Sequence, residues 1–150
     1  MKLTVETDVR AAPEAVWRIV ADIENAASTV EAIESVEVLE PARGPSLVGL
    51  KWRETRTMFG KQATEVMWVT DARDGSHYET RAESHGAVYR SRVAVDPDAD
   101  GARLSMTFQA QPVTLGAKVM WGVTGFLFKG ATRKALAKDL ADIKAAAEGR

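Results

Sequence analysis

A carboxylate and a guanidinium alternate with bulky apolar residues in one short stretch, KWRETRTMFGKQATEV, at residues 51–66. Such alternation predicts a β-strand, and it places Trp52, Glu54, Arg56 and Met58 on one face. If this face is buried, its charges must be paired, hydrated or bound to a ligand, because an unpaired buried charge costs several kcal/mol. The direction in which this face points therefore decides whether the stretch has a chemical role.

A turn at residues 60–61 would fold the stretch into a hairpin. It would place Glu65 opposite Arg56 and Met67 opposite Glu54, so we expect a cluster of two glutamates and one arginine in an apolar frame. In one interpretation Arg56 anchors a carboxylate, phosphate or enolate of a ligand while a glutamate orients it. In the other, the cluster is a cross-strand salt bridge near the sheet rim, worth only about 0.2–1 kcal/mol.

A second hairpin, closed on His85-Gly86, adds hydroxyl groups to the same face. The hydroxyl-bearing residues are Tyr78, Thr80, Tyr89 and Ser91, while Glu79 and Arg92 pair on the opposite face. Buried hydroxyls need hydrogen-bond partners, which a ligand, the backbone, water or one another can supply. Further apolar residues are expected either to line a pocket with them or to form ordinary core: Met67, Met106, Phe108, Met120, Val123 and Leu127.

Composition excludes several functional classes. The chain has 150 residues, a formal net charge of -1, no cysteine and two histidines. A nucleic-acid partner, a thiolate site and a histidine-based metal site are therefore not expected, and no motif calls for a cofactor. The N-terminal residues alternate instead of forming an apolar signal segment, which predicts a cytoplasmic protein. The longest apolar run, at 119–128, has half of the roughly 20 residues that span a bilayer.

The elements that must position these residues follow in a simple order. Alternation predicts a strand at 2–10, helical spacing predicts a short helix from Pro13, and a second short helix precedes a strand at 35–41. From Leu47 onward, five alternating runs separated by turns predict an antiparallel meander. A last helix has apolar positions at Met120, Val123, Leu127, Ala131, Leu136, Leu140 and Ile143.

Three glycines interrupt this last helix at Gly122, Gly125 and Gly130. Each costs about 1 kcal/mol relative to alanine, so the first half should be kinked, mobile or closely packed. The predicted order β-α-α-β-β-β-β-β-β-α describes one α+β domain over residues 1–150. About seven antiparallel strands would form a curved sheet around the long C-terminal helix.

The chain resembles the START-like, or Bet v1-like, superfamily, and within it the bacterial polyketide cyclase/dehydrase and lipid-transport group. The resemblance spans nearly the full chain. The matching segments are AAPEAVWRIVADIENA, IESVEVLEP, the Gly49-x-x-Trp52 entry to a strand, ETRTMFGKQATE and the terminal amphipathic helix. It implies a helix-grip fold with a cavity between sheet and C-terminal helix that holds a hydrophobic or amphipathic ligand.

Three hypotheses for function follow from this resemblance. The first is binding or transport of a lipid, quinone or polyketide-like molecule by a monomer or homodimer. Transient membrane contact is included here through the aromatic and basic residues of the last helix. The second is a cyclase or dehydratase with catalytic candidates Glu54, Arg56, Glu65, Tyr78 and Tyr89. The third is a protein-interaction module like the Hsp90-activator branch, which requires an exposed apolar patch.

Overall fold

The computed structural model describes residues 1–149. Its order of elements confirms the prediction, except that the second short helix is a 3-10 helix. The elements are β1 (Lys2–Val9), α1 (Pro13–Ala21), the 3-10 helix (Ile23–Ser28), β2 (Ile33–Glu40), β3 (Lys51–Met58), β4 (Lys61–Arg73), β5 (His77–Ser84), β6 (Ala87–Asp98), β7 (Gly101–Pro112) and α2 (Leu115–Ala147).

All seven strands form one antiparallel sheet in the order β1-β7-β6-β5-β4-β3-β2. Helix α2 packs on β1 and β7 at one end of this sheet. It also forms an ion pair with Arg56 on β3, near the other end. Because one helix reaches strands from both ends, the sheet must curve around it, and this confirms the helix-grip architecture.

Two hairpins close on two-residue turns in which both central residues have positive φ. These are Phe59-Gly60, with φ of 55° and 77°, and His85-Gly86, with φ of 49° and 72°. Turns of this kind favour glycine at the second central position and match the twist of the flanking strands. The predicted register of the β5-β6 hairpin is confirmed, including Glu79 opposite Arg92.

The predicted register of the β3-β4 hairpin is wrong by two residues. The loop is Phe59-Gly60 and not Gly60-Lys61, so Arg56 lies opposite Ala63 and Glu54 opposite Glu65. A shift of two residues keeps every side chain on its predicted face, because the side-chain period of a strand is two. The face was therefore predicted correctly and the cross-strand partners were not.

The core consists of two apolar clusters that share residues. The larger packs Val16 and Trp17 of α1 against strands β1, β6 and β7 and against Leu140 and Ile143 of α2. The smaller is built on Ile23, Trp52 and Val69. Partly buried residues pack against both clusters and join them: Val36, Leu47 and Tyr78.

One glycine fixes how the β6-β7 turn meets the start of α1. Gly101 has φ of 133°, and a Cβ there would lie 2.5 Å from the carbonyl oxygen of Ala11. A side chain is therefore excluded both by the backbone conformation and by space. This close approach holds the β1-α1 connection against the sheet.

Helix α2 is continuous, but its first half presents apolar residues to solvent. The predicted single apolar face is wrong there, because the step from Ala131 to Leu136 is five residues, which turns the pattern to the opposite side of the helix. A Cβ at Gly122, Gly125 or Gly130 would meet no described atom within 4 Å, so these glycines are not closely packed. Within residues 1–149, no helix is both long and apolar enough to cross a bilayer.

Candidate functional site

A cavity of about 160 Å³ lies between the inner face of the sheet, the α1 and 3-10 segment, and the C-terminal half of α2. The mixed face of β3 points into it, which answers the question raised by residues 51–66. Nine residues proposed from the sequence lie on its wall: Trp52, Glu54, Arg56, Met67, Tyr78, Thr80, Ser91, Met106 and Phe108.

Five other proposed residues lie elsewhere, and these expectations are corrected. Met58 and Tyr89 are not part of the wall, and the ring of Tyr89 stacks on that of Phe108 with 5.9 Å between centroids. Three residues of α2 face solvent because of the five-residue step described above; Met120, Val123 and Leu127 are 66%, 70% and 64% exposed.

Arg56 is held between two carboxylates. Its Nη2 donates a hydrogen bond of 2.7 Å to Oδ2 of Asp139 on α2, and its Nε lies 3.5 Å from Oε2 of Glu54. The side chains of Arg56, Asp139 and Glu54 are 15%, 8% and 14% exposed, respectively. Trp52 adds a 3.4 Å hydrogen bond from Nε1 to Oε1 of Glu54. We call Glu54, Arg56 and Asp139 the Arg56 cluster.

Glu65 does not belong to this cluster, contrary to the sequence-based expectation. It lies opposite Glu54 in the ladder, and its Oε1 accepts a 2.5 Å hydrogen bond from Oγ of Ser84. Its charge acts on Tyr89: burial first, and then Glu65, raise the pKa of that phenol. Glu65 and Tyr89 therefore form a separate polar group beside the cavity.

Burial raises the pKa of both carboxyls in the Arg56 cluster. For Glu54 and for Asp139 desolvation is the largest cause, and the charge of Arg56 opposes it. The ionised Asp139 adds a further upward push on the pKa of Glu54. Because two carboxyls share one guanidinium, protonation of either one brings the cluster to neutrality.

Two atoms of the cluster are buried without a hydrogen-bond partner among residues 1–149: Nε of Arg56 and Oδ1 of Asp139. One is a donor and the other is an acceptor. Buried polar atoms are normally satisfied, so water or ligand oxygen atoms could complete the hydrogen bonding of this donor and acceptor if the neighbouring side chains made room.

The hydroxyl of Tyr78 stays protonated beside this cluster. Burial, followed by the charge of Glu54, raises the pKa of Tyr78 well above its ordinary value of 10.0. Its ring packs edge to face on Trp17, with centroids 6.3 Å apart. Tyr78 can therefore serve as a hydrogen-bond donor on the cavity wall at any physiological pH.

Sequence reasoning missed the helical half of the site. Asp139, Leu136 and Ile143 of α2 line the cavity, as do residues of the segment after β1, including Ile19 and Val30. A signal for Asp139 was present, since an acidic residue there shares the apolar face formed by Leu136, Leu140 and Ile143. A carboxylate on the buried face of a helix requires a partner.

A second group of polar residues lies on the outer face of the sheet. Ligand atoms of Asp71, His77 and Glu79 all lie within 4.8 Å of one another. His77 Nε2 and Asp71 Oδ2 are 3.1 Å apart, and this contact holds the pKa of Asp71 below its ordinary value. Exposed acidic groups of this kind are common without a metal ion, and the carboxylate of Asp71 already contacts His77.

Comparison with known proteins gives a family and a fold. The model of a family described as polyketide cyclase / dehydrase and lipid transport matches residues 1–148. No curated protein matches the sequence.

Several solved structures are similar in fold. The protein TTHA0849 from Thermus thermophilus superposes with a TM-score of 0.77 at 18% identity, over 96% of this chain and 94% of that one. The Zhui aromatase/cyclase from a Streptomyces species gives a TM-score of 0.75 at 16% identity, over 100% of this chain and 94% of that one. The ginseng major latex-like protein 151 from Panax ginseng gives a TM-score of 0.78 at 11% identity, over 98% of this chain and 97% of that one.

Proposed function

We propose, from the premise that this chain belongs to the polyketide cyclase / dehydrase and lipid transport family, that its cavity binds a compact, oxygenated hydrophobic molecule. The observation that carries the proposal is that two polar atoms of residues on an otherwise mostly apolar wall, Nε of Arg56 and Oδ1 of Asp139, have no hydrogen-bond partner among residues 1–149. A ligand carbonyl would accept from the first, and a ligand hydroxyl would donate to the second.

The size of the cavity limits the ligand. A cavity of about 150 Å³ holds a benzene ring, and drug-sized ligands occupy about 300–1,000 Å³. The observed volume of about 160 Å³ therefore suits a one-ring or two-ring compound, such as a quinone or a polyketide-like fragment. A long-chain lipid would require α2 to move outward.

The charge of the cluster limits the ligand further. Two carboxylates surround one guanidinium, so Arg56 has no spare positive charge for an anionic ligand. This argues against the interpretation in which Arg56 anchors a carboxylate or phosphate. Neutral hydroxyl and carbonyl groups are the better match.

Isothermal titration calorimetry with naphthalene, 2-naphthol and 2-naphthoate tests this proposal. We expect 2-naphthol to bind at least about tenfold more tightly than the other two, since one well-placed hydrogen bond to a charged group is worth about 1.5–3 kcal/mol. Asp139→Ala, which leaves no acceptor at this position, should remove that preference. Asp8→Ala is the matched control, because Asp8 is an exposed aspartate that pairs with Arg103.

Two results would contradict the proposal. One is equal affinity for the three naphthalenes in the wild-type protein. The other is unchanged binding in Ser91→Leu, because a leucine on the wall should fill the cavity. Circular dichroism of each variant verifies that it is folded.

A second candidate function is cyclisation or dehydration by acid-base chemistry. The observation that favours it is the raised pKa of both Glu54 and Asp139 beside a protonated Tyr78. A carboxylate would take a proton from the carbon beside a ketone, Arg56 and Tyr78 would stabilise the enolate oxygen, and a protonated carboxyl would give its proton to the departing hydroxyl. A carbon-carbon double bond forms and water leaves.

Turnover distinguishes the two candidates. With a cyclic β-hydroxyketone as substrate, an enzyme should release the conjugated product, which absorbance detects. Glu54→Gln should then lose turnover while it still binds 2-naphthol. Binding of 2-naphthol without turnover of this substrate would favour the binding function over this dehydration.

A further inference from the structure

Six large apolar side chains lie exposed along one side of the first half of α2. They are Leu115, Val119, Met120, Val123, Phe126 and Leu127, each between 62% and 79% exposed, and we call them the α2 stripe. Folded proteins rarely leave so many large apolar groups together in water, so a stripe of this kind marks a contact surface.

The geometry of the helix separates this stripe from the side that packs on the protein. Val119, Val123 and Phe126 recur at intervals of four and three residues, which places them on one face. Trp121 and Phe128 lie seven residues apart on the opposite side, where their rings contact each other with centroids 5.1 Å apart. The first half of α2 is therefore apolar on both sides.

Charge on this segment has a single sign. Residues 115–138 contain five basic residues, Lys118, Lys129, Arg133, Lys134 and Lys138, and no acidic residue. Lys118 and Lys129 are eleven residues apart, about three helical turns, so they border the same edge of the stripe. Within the described part of the chain, Lys118, Lys129 and Lys134 form no ion pair.

The β3-β4 hairpin contacts the opposite side of this helical segment. Phe59 is 56% exposed at its tip and contacts Phe128, with ring centroids 6.4 Å apart. Its φ of 55° lies in the left-handed region, where a bulky residue is an outlier. The contact with Phe128 shows that the hairpin packs on the side of α2 that the stripe does not occupy, so the hairpin leaves the stripe exposed.

We propose that the α2 stripe docks on the surface of a bilayer that contains anionic lipids. Apolar side chains would enter the boundary between head groups and acyl chains, and the basic residues beside them would contact lipid phosphates. The helix lies on such a surface and does not span it. A second copy of the chain fits less well, because pairing two stripes would bring two sets of five positive charges together.

Vesicle flotation of the full chain tests this proposal. We expect at least about tenfold stronger binding to vesicles of phosphatidylcholine and phosphatidylglycerol, 70:30, than to phosphatidylcholine alone. Raising NaCl from 50 to 300 mM should weaken it severalfold. The double variant Val123→Gln, Leu127→Gln should lose binding, and Lys118→Gln, Lys129→Gln should lose the preference for anionic lipid. Arg53→Gln, Arg103→Gln is the charge-matched control on exposed sheet positions and should bind like wild type.

Phe59→Asn is a further control, because Phe59 contacts Phe128 on the side of α2 opposite the stripe. It removes an exposed apolar side chain and should bind vesicles like wild type, and the melting temperature of each variant verifies that it is folded. Equal binding to neutral and anionic vesicles, or full binding by the stripe variant, would overturn the proposal. So would a wild-type dimer in sedimentation velocity that the stripe variant abolishes, since a second copy would then cover the stripe. Vesicle binding requires no cavity ligand, so this test is independent of the proposed function.

Discussion

Arg56 lies between Glu54 and Asp139, and all three side chains are no more than 15% exposed. Taking charges out of water is costly, and their mutual attraction repays that cost only when every polar atom is paired. Here Nε of Arg56 and Oδ1 of Asp139 have no hydrogen-bond partner within residues 1–149, although Nε lies 3.5 Å from Oε2 of Glu54. The cluster therefore lowers the free energy of unfolding, and hydrogen bonds to a bound oxygenated ligand would raise it again.

A pH dependence of stability follows from this burial. The folded-state pKa of Glu54 is raised above its ordinary value of 4.5, so folding favours its protonated form. The contribution to stability is fully present below that value and is lost as the pH rises through the raised pKa. Glu54→Gln cannot titrate, so its free energy of unfolding should fall less than that of wild type above about pH 4.5.

Urea unfolding across this range measures the difference between the two proteins. Glu37→Gln makes the same chemical change at an exposed salt bridge and serves as the control. If the free energies of unfolding of wild type and Glu54→Gln changed in parallel with pH, the carboxyl of Glu54 would not be buried as described.

Two halves of helix α2 have different environments, and this explains both the success and the failure of sequence reasoning. The second half packs Leu140 and Ile143 into the core and brings Asp139 to Arg56. The first half shares that helical period but is rotated by the step after Ala131. Periodicity identified the helix correctly. The change of apolar face between its two halves shows only in the five-residue step from Ala131 to Leu136, which includes the buried Thr132.

Glycines in the first half allow a direct test at this scale. Gly122 and Gly125 lie in the helix with open space around them, so replacing either with alanine should raise stability by about 0.8–1 kcal/mol. Gly101→Ala is the opposite case and should destabilise, because its Cβ would collide with the backbone at Ala11. Urea unfolding compares the three variants, and a loss of stability in Gly122→Ala would reveal packing that the helix does not show.

At the scale of the molecule, the antiparallel meander and its faces were predictable because alternation and turn residues are local signals. The cavity residues on β3, β5, β6 and β7 followed from these faces. The helical side of the cavity did not follow, because contact between Arg56 and Asp139 spans 83 positions and depends on sheet curvature. As a result, the sequence predicted Glu65 as the partner of Arg56, whereas the structure gives Asp139.

Cooperative unfolding is expected for the whole chain. The two apolar clusters share Val36, Leu47 and Tyr78, so neither can lose its packing without disturbing the other. Trp17 reports on one cluster and Trp52 on the other. Tryptophan fluorescence and far-ultraviolet circular dichroism should therefore give coincident urea transitions, which would support the prediction of one domain. Two separated transitions would instead indicate two independently folding units.

The run from Gly101 to Lys138 contains no aspartate or glutamate in a chain whose formal net charge is -1. Positive charge along the first part of α2 is therefore not offset by acidic neighbours in sequence, and Lys118, Lys129 and Lys134 form no ion pair within residues 1–149. Behaviour near a charged surface depends on such a local group of charges as well as on net charge. A cation-exchange matrix at neutral pH and low salt should therefore retard the protein through this segment, although its net charge alone predicts that it flows through.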